Sequence, residues 1–136
     1  MDKSIFYPML AMMALTFGVI MLLAKRRFGA IKSGETKDLS YFKTLGGPST
    51  EPEAVQVAQR NLANLFEMPV LFYPACLAAA FFDKVDTVSL SLAWAYVALR
   101  FLHTLVHVTN NNVPVRFRLF FLSFFPLIGL WVWVAL

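Results

Sequence analysis

Residues Ser4 to Ala24 read SIFYPMLAMMALTFGVIMLLA, an unbroken stretch without one charged side chain. At ~1.5 Å per residue, a helix of that length crosses the ~30 Å hydrocarbon layer of a bilayer. The stretch has three successors. Asn61 to Phe82 holds Glu67 as its only charge, Thr87 to Thr109 contains Arg100, His103 and His107, and Leu119 to Leu136 is again uncharged. Backbone polar groups in hydrocarbon must be satisfied within the segment, so runs of this length fold as helices. The sequence thus predicts an all-α chain: one four-span membrane domain over residues 1–136, with spans near 4–24, 61–82, 87–109 and 119–136 and a long loop at 25–60. Composition agrees, with 59% hydrophobic and 15% charged residues, against ~45–50% and ~25% in soluble domains. The first run exceeds a signal-peptide core, and Lys25-Arg26-Arg27 follows it instead of small residues, so cleavage is not expected.

The basic residues set the orientation. Nine Lys and Arg lie in the first and third loops, Arg60, Arg116 and Arg118 among them, while Lys3 and Lys84 stand on the other side. Both termini are therefore expected outside and the long loop in the cytoplasm. The net charge of +4 is then a topology signal directed at anionic headgroups, and a nucleic-acid partner is not expected. Cys76 is the only cysteine. It falls on the side of its helix away from Arg60, which suggests packing.

Breakers punctuate the chain. GGPSTEP at residues 46–52 precedes the second span. Thr50 as N-cap, Pro52 in the first turn and Glu53 at the capping-box position would start a helix near Glu51 and carry it unbroken into the membrane. Pro69, Pro74 and Pro126 lie inside spans and predict kinks. DKVD at 83–86 is so short that the second and third spans must pack antiparallel. Trp131 and Trp133 suit an interfacial belt. The middle of the long loop is compatible with a headgroup-lying segment or with a lid.

Ionisable residues within the spans carry the functional argument. At 100° per residue, Arg60, Asn64 and Glu67 fall within about 60° of one another on the second span. Tyr96, Arg100, His103, His107 and Asn111 form a stripe on the third. Glu67 and His103 both come to lie roughly 10 Å from the cytoplasmic surface, and Arg100 about 14 Å. A charge at mid-membrane costs roughly 2.5–3.5 kcal/mol on insertion scales. The simplest compensation pairs Glu67 with Arg100, with Asn64 and His103 completing the hydrogen bonds. His103 and His107 stand four apart, but no third ligand has suitable spacing and Arg100 is close, so no metal is expected. Arg60, Arg100 and Arg116 outnumber Glu67, which leaves a cationic pocket suited to an anionic ligand with carboxylates.

Arg60-x-x-x-Asn64-x-x-Glu67-x-Pro69 resembles the signature of the membrane-associated proteins in eicosanoid and glutathione metabolism, the MAPEG family. Arg100-x-x-His103-x-x-x-His107, followed by Arg116 at the mouth of the fourth span, is similar to the same family, and the likeness covers nearly the whole chain. The resemblance implies a four-helix bundle that assembles as a homotrimer in a bacterial inner membrane, or in an ER-type membrane if the source is eukaryotic. It implies glutathione as cosubstrate, bound by Arg60, Asn64, Glu67, Arg100, His103 and His107, and Arg116 as the catalytic arginine that stabilises the thiolate. The activity implied is transferase or peroxidase chemistry on hydrophobic electrophiles or lipid hydroperoxides. The sequence departs from the pattern at His107, where several catalytic relatives carry tyrosine, and at Phe117 and Phe120, where some offer hydroxyl donors. Two other functions fit the residues: a non-catalytic lipid-binding or scaffold protein of the same fold, and a small proton-coupled transporter using Glu67 and the histidines.

Overall fold

The computed structural model describes residues 2–136. Among them, four helical segments are long and apolar enough to cross a membrane. The first is α1, Phe6–Ser33. Its buried residues Pro8, Met12, Val19, Leu23 and Ala30 recur at alternating steps of four and seven, which draws one seam along the helix for packing. Gly34 ends it in the left-handed conformation at φ 80°, its N–H donating to Ile31 O. Glycine takes that φ without a Cβ penalty.

The helix outlasts the apolar run by nine residues, so Lys25 to Ser33, expected in the loop, is helical. No breaker intervenes before Gly34, and the continuing turns bury Ala30 against Val55 and Ala58. The remaining connection contains one short helix, α2, Tyr41–Thr44.

The second span divides into α3, Glu53–Glu67, and α4, Pro69–Phe81. Here two expectations are corrected. The helix begins at Glu53 behind Pro52, without a side-chain cap from Thr50, whose hydroxyl donates instead to Asp38 O across the loop at 3.1 Å. Nor does it run unbroken: Pro69 has no N–H to continue the ladder, and the helix is interrupted at Met68. Further along, Trp131 Nε1 donates to Leu71 O at 3.1 Å, beside the turn where Pro74 removes another donor.

α5, Thr87–Val108, starts with a capping box. Asp86 Oδ1 accepts from Ser89 N at 2.9 Å, and Ser89 Oγ accepts from Asp86 N at 2.9 Å. α6, Val113–Ala135, starts six residues before the expected span, with Asn112 Oδ1 accepting from Val115 N at 3.2 Å. Arg116 and Arg118 therefore sit in the helix, not ahead of it.

α5 packs most extensively against α6, while α3 packs against both α1 and α5, which also touch each other. Ile5, Met12, Phe72, Cys76, Tyr96 and Leu130 belong to one buried cluster, within which the Phe72 and Tyr96 rings stack at 4.7 Å. Cys76 is fully buried there, in line with a packing role. Outside, Phe17, Met21, Phe81 and Phe125 are exposed, as expected of side chains that meet acyl tails.

Candidate functional site

The inward face of α5 changes character along its length. Ala93 and Val97 give way to Arg100, His103, Thr104 and His107, all buried. Arg100 is 0% exposed, His107 1% and His103 2%. The Arg100 guanidinium lies 5.4 Å from the centre of the Phe120 ring of α6, and its Nη2 donates to Asn64 O of α3 at 3.3 Å. His103 also meets Phe120, at 5.8 Å between ring centres, and His107 edge-on at 5.6 Å.

These contacts do not balance the burial. Removing a guanidinium from water costs several kcal/mol even after relaxation. A cation over an aromatic face returns roughly 0.5–2 kcal/mol, and one hydrogen bond from a charged donor about 1.5–3. Arg100 Nε and Nη1, His103 Nδ1 and both nitrogens of His107 have no hydrogen-bond partner among the described residues. So many orphaned polar atoms in one place mark a site that a ligand, water or second chain completes.

The expected pairing of Glu67 with Arg100 does not form. The inward line of α3 is Val55, Ala58, Asn61 and Leu65. At 100° per residue, Glu67 stands roughly 170° from the middle of that line. Glu67 is accordingly exposed, as is Arg60, and Asn64 is half-buried beside them. Arg100 takes the Asn64 backbone carbonyl, on the turn that Pro69 interrupts, and stays within electrostatic reach of Glu67.

Arg116, half-buried in the first turn of α6, donates from Nη1 to Asn111 Oδ1 at 2.6 Å. The charges of Arg116, Arg60 and Arg100 all act on His107, although Arg60 stands on the exposed face of α3. Phe117 points outward against Phe121, with ring centres 4.5 Å apart, whereas Phe120 forms an apolar wall beside Arg100 and His103. Among the described residues, no three metal-ligating side chains gather.

Several residues near the site escaped the sequence reading. Asn61 and Thr104, both buried, exchange hydrogen bonds at 3.3 Å and join α3 to α5. Each is the immediate neighbour of a residue that drew attention, Arg60 and His103, and the inward arc of α3 would have found Asn61. Arg26 and Arg27, topology signals in the sequence, also make structural contacts. Arg26 Nη2 donates to Val108 O at 2.8 Å, at the C-terminus of α5, and Nη1 to Ala54 O at 2.9 Å. Arg27 pairs with Glu51 through two bonds of 2.6 and 3.0 Å, donates to Gln59, and lies over the Phe42 ring at 5.4 Å. Together they fasten the long loop to the end of the bundle that carries the arginines.

Chemically, a buried guanidinium with free donors, two further arginines and one open carboxylate suits a ligand with several carboxylates and an amine. No curated protein and no solved structure matches the chain. A family model does, over residues 5–136. With that match and its four apolar helices, the chain is an integral multi-pass membrane protein and belongs to the MAPEG family.

Proposed function

We propose that the protein is a glutathione-dependent transferase or peroxidase that acts within the membrane on hydrophobic electrophiles or lipid hydroperoxides. The observation that carries this reading is Arg100: fully buried, with two donor nitrogens unpartnered, among more arginine than carboxylate. Glutathione, with two carboxylates and an amine, has the complementary groups. By the family's pattern, Arg60, Arg100 and Arg116 hold or face its negative charges, Glu67 accepts from its amine, and Asn64, His103 and His107 supply the remaining hydrogen bonds.

Glu67 is exposed on the single chain at a depth where exposure to acyl tails is unfavourable, and Arg60, at the membrane surface, is exposed on the same face of α3. A homotrimer, with a neighbouring chain over this face, resolves that conflict and completes the site between subunits. The lysines and arginines of the loops support a cytoplasmic position for the site, with both termini outside.

When bound, glutathione supplies a thiol sulfur that adds to an electrophilic carbon or, with a second glutathione, reduces a hydroperoxide to an alcohol and water as the disulfide forms. This chain's part is electrostatic. A fixed guanidinium near the sulfur favours the thiolate over the thiol, and by the family's pattern Arg116 takes that role. Phe120 and the apolar faces around it keep water from the charges, which strengthens them. Purified protein in lipid nanodiscs should conjugate a chlorinated nitroaromatic to glutathione, and Arg116→Ala should lower kcat by about 100-fold with the thermal transition unchanged. Full turnover by Arg116→Ala would overturn the assignment.

Phe120 favours a second reading. It occupies the wall beside Arg100 and His103 and offers no hydroxyl to a sulfur. A non-catalytic lipid-binding member would use the same pocket without activating a thiol. It would be stabilised thermally by anionic lipids and show no conjugation at any glutathione concentration.

A further inference from the structure

We infer that Asn111 is a positioning residue that holds the Arg116 guanidinium at the site, an inference that rests on the role of Arg116 just proposed. Residues 110–112 are three consecutive asparagines at the corner between α5 and α6. Two of the side chains serve the backbone of the turn. Asn110 Oδ1 accepts from Asn112 N at 3.1 Å, and Asn112 Oδ1 caps α6 through Val115 N at 3.2 Å. The side chain of Asn111 is directed elsewhere: its Oδ1 accepts from Arg116 Nη1 at 2.6 Å. The backbone of Asn111 is itself in the left-handed region, at φ 49°, and its N–H closes the end of α5 on Val106 O at 2.8 Å. Asparagine is one of the few residues that accept this conformation readily. The residue type is thus constrained twice, once by the turn and once by the arginine.

The chemistry of the acceptor matters. An amide oxygen orients a guanidinium without cancelling its charge, as a carboxylate would. One of the five N–H donors of Arg116 is then engaged and the others remain for a ligand. The charged and titratable groups around that ligand are Arg60 from α3, Arg100, His103 and His107 from α5, and Arg116 from α6. Glu67 is the carboxylate within reach of Arg100.

Glycine separates the two constraints, because it keeps the left-handed backbone at no steric cost and deletes only the acceptor. The full chain in lipid nanodiscs is compared with Asn111→Gly, Asn111→Asp and Arg116→Ala. The readouts are kcat and KM for glutathione with a chlorinated nitroaromatic, and the ultraviolet absorbance of the bound thiolate across pH. Asn111→Gly should fold normally, lose about tenfold in kcat with a much smaller change in KM, and move the thiol titration to higher pH. Asn111→Asp keeps the hold but neutralises the charge, so its titration should move towards that of Arg116→Ala. Wild-type kcat and an unmoved titration in Asn111→Gly would overturn the inference while leaving the role of Arg116 standing. An Asn111→Gly chain that fails to fold would show that the side chain serves the turn, which also overturns it. Full turnover by Arg116→Ala would remove the reading beneath it and the inference together.

Discussion

Arg100 shows how much one side chain can decide. Its position in the third span is plain in the sequence, and its cost of burial follows from elementary solvation. What the sequence did not give away was its partner. Glu67 looked like the natural counter-ion because both residues reach a similar depth, but depth is only one coordinate. The azimuth of α3 is set by its apolar residues, and Val55, Ala58 and Leu65 turn Glu67 outward. Arg100 is left with a backbone carbonyl and an aromatic face. Lysine at this position would keep the charge but lose the planar fork that matches a carboxylate. Arg100→Lys should therefore weaken glutathione binding by about 10- to 100-fold, since a charge-assisted hydrogen bond contributes roughly 1.5–3 kcal/mol. Calorimetric titration in nanodiscs checks this, and unchanged affinity would mean that the guanidinium does not touch the ligand.

Proline and caps govern the elements. The apolar runs located four membrane helices, because in hydrocarbon a long run has little choice but to be helical. Helix ends were less legible, since they depend on single side chains. Ser89 gave α5 a capping box that no hydrophobic pattern reveals, while Thr50 declined the role its position suggested. Asp86 provides a test with a definite sign. The Ser89 backbone N–H, and then its hydroxyl, hold the Asp86 carboxyl below its ordinary value of 3.8. A lowered folded value adds stability that is complete above the ordinary value and is lost as pH falls through the folded one. Thermal stability should hold down to about that pH and then fall, and Asp86→Asn, which keeps an acceptor, should remove this part of the acid dependence. Pro69 makes the complementary case. Its missing N–H would have met the Leu65 carbonyl, next along the chain from the Asn64 carbonyl that receives Arg100. Pro69→Ala restores the missing N–H, so the transition temperature should stay or rise while glutathione affinity falls by about tenfold through misplacement. Affinity that survives would separate the kink from the site.

On the scale of the molecule, the ionisable residues within the second and third spans lie towards one end, and the bundle covers only some of them. Arg100, His103 and His107 lie inside, whereas Arg60 and Glu67 face out. The sequence conveyed the membrane fold and the positions of these residues along their helices. It could not convey which of them the chain buries and which it leaves exposed, because that depends on how α1 and α5 claim the sides of α3. Native mass spectrometry from detergent should accordingly find trimers, and Arg60→Ala with Glu67→Ala should lower glutathione affinity even where the trimer persists. The central claim is that the arginines form a recess for a multiply charged anion. It is tested most directly by titrating the wild-type protein in nanodiscs with glutathione and with its dimethyl ester, which keeps the thiol and amine but lacks both carboxylates. Saturable binding of glutathione, with the ester at least about tenfold weaker, is the predicted result; equal binding of the two, or none of either, would contradict it.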